Sequence, residues 1–88
     1  MTAEEQEIEC DVYRSQRKAD YYLYVPADDG LDRVPEALLQ QLGAVEKTLT
    51  FTLTRERQLA REDATQVMSN LEAKGYHLQL PPPEGRLL

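Results

Sequence analysis

The sequence holds one cysteine, one histidine, one phenylalanine and no tryptophan. A lone cysteine closes no internal disulfide, which excludes the small stapled scaffolds of secreted proteins. One histidine and one cysteine are too few for a structural zinc site. There are four glycines, and none falls in a phosphate-loop spacing. No apolar run approaches the ~20 residues of a membrane-spanning helix. The opening Met1–Glu9 is acidic rather than basic and then apolar, so no secretory leader is expected. These absences lead us to expect no metal, no cofactor, no membrane partner and a cytoplasmic location.

What is present fits one small globular domain: 88 residues, of which 41% are hydrophobic and 30% charged. Sixteen acids against ten bases give a net charge of −6. The first eleven residues carry five acids (Glu4, Glu5, Glu7, Glu9, Asp11) and no base, and the remainder is nearly neutral. Such a balance opposes adhesion to polyanions, and DNA is not an expected partner. Two small basic clusters remain, Arg14/Arg17/Lys18 and Arg55/Arg57/Arg61.

Residues 1–8 read as a flexible acidic terminus, 9–84 as a single domain and 85–88 as a C-terminal end. Ile8, Cys10 and Val12 alternate with Glu9, Asp11 and Tyr13, a strand signal. After a polar turn, Tyr21, Leu23 and Val25 alternate with Tyr22 and Tyr24, and the short connection suggests a hairpin. Pro35 suits a first helical position, Leu38, Leu39 and Leu42 form an apolar stripe, and Gly43 suits the residue past the helix end. Leu49, Phe51 and Leu53 alternate with three threonines in the clearest strand. Ala64, Val67, Met68 and Leu71 repeat at helical spacing, with Glu62 and Asp63 in the first turn, Lys74 in the last and Gly75 beyond. Tyr76–Leu80 forms a last strand, stopped by Pro81-Pro82-Pro83. The order is ββαβαβ. We expect an α/β (α+β) two-layer sandwich: a four-stranded sheet with both helices on one face and the other face open, its helical connections allowing parallel crossovers.

Cys10-Asp11-Val12-Tyr13-Arg14-Ser15, Tyr22-Leu23-Tyr24-Val25, Arg33-Val34-Pro35-Glu36-Ala37-Leu38-Leu39 and Gly75-Tyr76-His77-Leu78-Gln79-Leu80-Pro81-Pro82-Pro83-Glu84, in this order, resemble the YcgL family of small bacterial proteins. The resemblance covers roughly residues 9–84. It implies a small cytoplasmic α/β domain and carries over no catalytic residue and no cofactor.

Alternation assigns Glu9, Asp11, Tyr13, Tyr22, Tyr24, Thr48, Thr50, Thr52, His77 and Gln79 to the open face. Tyr13, Tyr22 and Tyr24 are either strand formers with wet hydroxyls or a platform for stacking bases, with Arg14, Arg17 and Lys18 on the phosphates. His77 is the sole general-base candidate near neutral pH, given a carboxylate such as Asp11 or Glu9 beside it. Cys10 points inward as a small hydrophobe. Arg55, Arg57 and Arg61 suit either an anion at a helix start or a solvated charge network. Pro81–Glu84 suits strand termination or an extended polyproline segment. No nucleophile–base pair is apparent. The sequence thus points to a non-enzymatic interaction module. Its open face, centred on Tyr13, Tyr22, Tyr24 and His77, would dock a protein; single-stranded RNA is the alternative partner.

Overall fold

The computed structural model describes residues 7–59 and 62–82. Glu4, Glu5, Arg61, Pro83, Glu84 and the 85–88 end, all invoked above, lie outside the described residues. The elements are β1 (Ile8–Ser15), β2 (Tyr22–Pro26), α1 (Glu36–Leu42), β3 (Val45–Leu53), α2 (Ala64–Lys74) and β4 (His77–Gln79). The fold is α+β, in the ββαβαβ order that the periodicities imply. The strands form one sheet in the order β3-β1-β2-β4.

Every adjacent pair is antiparallel. The parallel crossover is therefore corrected. β2 and β3 run the same way, but β1 lies between them, so no two parallel strands touch. The β1–β2 hairpin sets the faces. Val12 stands opposite Tyr24, and Tyr13 stands opposite Leu23. Because side chains alternate with period two, Cys10, Val12 and Tyr24 share one face while Tyr13, Leu23 and Val25 share the other.

Both faces are covered, which corrects the expected two-layer arrangement with both helices on one side. Cys10, Val12, Tyr24, Phe51 and Leu53 pack with Ala64, Val67, Met68 and Leu71 of α2. Leu23 and Val25 pack with Val34 and with Leu38, Leu39 and Leu42 of α1. The order of layers is α1, sheet, α2. β2 is the physical reason. As an inner strand with Leu23 and Val25 fully buried on one side and Tyr24 on the other, it needs apolar cover on both sides.

α1 and α2 are held by their ends. Pro35 is the N-cap of α1, one residue earlier than its ring suggested, and Gly43 (φ +71) ends the helix with its N–H on the Leu39 carbonyl. Asp63 is the N-cap of α2 and accepts from the Thr65 N–H at 3.0 Å. Glu62 therefore precedes α2 rather than opening its first turn. Gly75, at φ +89, is the left-handed residue that stops α2. β3 slips register against β1 between Val12 and Tyr13, so that Leu49 and Lys47 face these two residues with Thr48 extra.

Candidate functional site

The register divides the expected tyrosine surface. Tyr22 and Tyr24 lie on the α2 side, where Tyr24 is buried and Tyr22 half-buried against the core. Tyr13 lies on the α1 side, half-buried against Leu23 and its neighbours. The three rings share no surface, and the open face centred on Tyr13, Tyr22, Tyr24 and His77 is not formed. On the α1 side, Glu9 and Asp11 of β1 and Thr50 and Thr52 of β3 carry polar side chains, and Asp11 is itself buried among them. There Asp11 accepts from Thr50 at 2.7 Å and pairs with Lys47 at 3.3 Å, and Thr52 donates to Glu9.

The bases assigned to phosphate contacts are engaged within the chain. Arg14 pairs with Glu46 at 2.9 Å. Arg17 donates from Nη1 to the Gln40 carbonyl at 3.0 Å, so its charge sits at the C-terminal end of α1, where the helix dipole favours a cation. Lys18 lies 5.5 Å from the Tyr21 ring centroid. Ser15 organises this corner: its hydroxyl donates to the Leu42 carbonyl at 2.6 Å and accepts from the N–H groups of Arg17 and Lys18. In the second basic cluster, Arg57 stacks over Phe51 at 4.6 Å.

His77 is buried on the α2 side of β4. Its carboxylate partner is not Asp11 or Glu9, since β2 separates β4 from β1 and Asp11 faces α1. The partner is Glu62, with Oε1 2.6 Å from Nε2. On the other side of the ring the Asn70 amide lies 2.8 Å from Nδ1. With that amide nitrogen donating to Nδ1, Nε2 carries the proton and donates to Glu62. The ring also meets Tyr24 edge-on at 5.6 Å, and the Tyr24 hydroxyl donates to Gln79 Oε1 at 2.7 Å. Both imidazole nitrogens are thus committed to neighbouring side chains. This is the arrangement of a satisfied interior histidine; a general base needs one nitrogen presented to a substrate.

Burial pushes the Cys10 thiol up to about 12, with the Asp11 charge adding to the effect. It is a small buried hydrophobe, as its position in the alternation implies. Among the described residues no group of three or more histidine, cysteine, aspartate or glutamate side chains is placed to hold a metal ion. No described helix is long and apolar enough to cross a membrane.

A groove of about 370 Å³ follows the outer edge of β4 and is lined by Leu38, Asn70, Lys74, Tyr76, His77 and Leu78. Its two walls differ because α1 and α2 flank the sheet from opposite sides. Leu38, Tyr76 and Leu78 make an apolar wall on the α1 side; Asn70, Lys74 and His77 make a polar one on the α2 side. β4 ends the sheet, and among the described residues no strand pairs with its outer edge. Of the lining residues, sequence reasoning singled out His77 alone. Asn70 carries a faint signal, lying three residues beyond Val67 at the margin of the α2 stripe.

The model of the YcgL domain family matches residues 10–82. A YcgL domain-containing protein of Stutzerimonas stutzeri is 55% identical over 75 residues, covering 85% of this chain and 77% of that protein. Homologues from Pseudomonas putida and Pseudomonas aeruginosa, also YcgL domain-containing proteins, are 55% and 53% identical over the same coverage.

Proposed function

The chain belongs to the YcgL domain family, and on that premise we propose that it works as a non-enzymatic protein-interaction module whose binding surface is the outer edge of β4. The observation that carries this reading is the groove along that edge, open where the sheet ends and walled by residues from α1 and α2. An extended segment laid there continues the sheet. Its main-chain groups bond to β4, and its side chains alternate between the two walls. Residues turned toward Leu38, Tyr76 and Leu78 are apolar; those turned toward Asn70 and Lys74 are polar. Such alternation gives specificity without a deep pocket. Supporting a non-enzymatic role, the His77 ring is tied at both nitrogens.

The test is a photo-crosslinking amino acid placed at Leu80 or at Leu49 in bacterial cells. Both side chains are exposed, at 55% and 52%, and they lie at opposite edges of the sheet. The edge reading expects a discrete protein adduct from position 80 and none from position 49. An adduct to RNA, or equal adducts from both positions, overturns it.

A further inference from the structure

Resting on the edge reading above, we infer that the occupant of the β4 edge is the β4 edge of a second copy of this chain, in a two-fold antiparallel pairing centred on Leu78. The sequence of the edge is complementary to itself in this register. Leu78 meets Leu78 of the other copy, and Tyr76 meets Leu80, so the α1 side of the ladder is apolar throughout. His77 meets Gln79, and both are buried and bonded within their own copy, so the α2 side sets polar against polar without leaving either unpartnered. A one-residue slip would set apolar against polar across the whole ladder. The two-fold axis stands perpendicular to the sheet, so like faces are shared and one eight-stranded sheet results.

Three features of the chain suit this occupant. Leu80 is 55% exposed although it follows directly on β4; Tyr76 of the other copy covers it. The ladder has natural limits: Gly75, at φ +89, ends it on one side, and Pro81, which has no N–H, ends it on the other. The Lys74 side chain lies 5.9 Å from the Tyr76 ring centroid, at one end of the strand. The two copies of this cation therefore sit at opposite ends of the ladder and do not oppose each other. A five-residue ladder buries less than the roughly 800 Å² per partner of a stable complex. The dimer is accordingly weak, with a dissociation constant on the order of 100 μM.

Sedimentation velocity on the purified chain, from about 5 μM to 500 μM, is expected to show a monomer shifting to a dimer across a range set by that weak affinity. Leu80→Asp weakens the dimer at least about tenfold, the scale of a lost apolar contact; the equally exposed Leu49→Asp leaves it unchanged. Disulfide trapping reads the register. Leu78→Cys forms a covalent dimer on oxidation, because the two residues stand opposite each other. Leu80→Cys, though more exposed, does not, because its two copies lie about 13 Å apart along the ladder, beyond disulfide reach. A monomer at every concentration, or trapping through position 80 and not 78, overturns the inference. If the chain stays monomeric while position 80 still captures a different protein in cells, the second-copy inference falls and the edge reading stands. If neither occurs, both fall.

Discussion

Glu62 and His77 meet at 2.6 Å, carboxylate to imidazole, and so fasten the segment leading into α2 to the edge strand of the sheet. His77 then passes the connection on to Asn70 of α2 and, through its ring, to Tyr24 of β2. Removing the ring leaves Asn70 and Glu62 without their partner and opens space beside Tyr24. His77→Ala is expected to lower stability by about 2–4 kcal/mol, through lost buried hydrogen bonds and lost packing. Glu62→Ala, whose side chain is nearer the surface, costs about 1 kcal/mol. Equilibrium urea denaturation compares the two; equal small losses would mean that the network adds little to stability.

The corner at Ser15 gives a second expectation. One buried hydroxyl joins the end of β1, the turn after it and the end of α1. Ser15→Ala leaves the Leu42 carbonyl and two N–H groups short of a partner and is expected to cost about 1–3 kcal/mol. Arg17→Glu places a negative charge at the C-terminal end of α1 and removes the bond to Gln40. A loss of about 0.5–1 kcal/mol is expected in buffer free of nucleic acid. Thermal unfolding of the isolated protein measures both, and shows Arg17 acting on stability independently of any anion.

Gly75 and Gly30 make a matched pair. Both have positive φ, +89 and +56. A Cβ at Gly30 would meet open space, whereas one at Gly75 would lie 2.6 Å from Arg33 Nε and 2.7 Å from its Cβ. Gly30→Ala therefore carries only the backbone cost of about 1 kcal/mol. Gly75→Ala adds the displacement of the Arg33 side chain from the end of α2 and is expected to cost more, about 2 kcal/mol or above. Chemical denaturation of the two variants side by side checks the difference.

The sequence carried the element order and the core in its periodicities. Ile8 to Tyr13 alternates cleanly, the α2 stripe of Ala64, Val67, Met68 and Leu71 is buried as its spacing implies, and Gly43 and Gly75 stop their helices. What it hid was the register of one hairpin. Alternation tells which residues of a strand share a face, but pairing decides which face that is, and one residue of slip exchanges the two. Tyr24 opposite Val12 places two tyrosines and His77 beneath α2. A signal for this lies in Tyr21-Tyr22-Leu23-Tyr24-Val25, an unbroken apolar and aromatic run, which is how a strand covered on both sides reads. The groove was less legible, because its walls come from α1, α2 and β4, brought together only by the strand order.

Cys10 supplies a prediction in which the sign of the pH dependence is fixed. Its thiol is pushed from 9.0 up to about 12 by burial in the native state. Well below pH 9 it is protonated both folded and unfolded, and its ionisation leaves stability unchanged. Between 9.0 and about 12 the unfolded chain releases the proton while the native chain keeps it. The native state then holds more protons, and its stability falls as pH rises through that window. Cys10→Ala lacks this contribution, so its stability declines less steeply with alkalinity than that of the wild type, although a cavity makes it less stable at neutral pH. Urea denaturation of both proteins at pH 7, 9 and 10 isolates the difference. The same burial makes the thiol unreactive toward disulfide reagents in the native state at pH 8, so that labelling follows unfolding. Fast labelling without denaturant would show that the α2 side of the sheet opens far more readily than its packing implies.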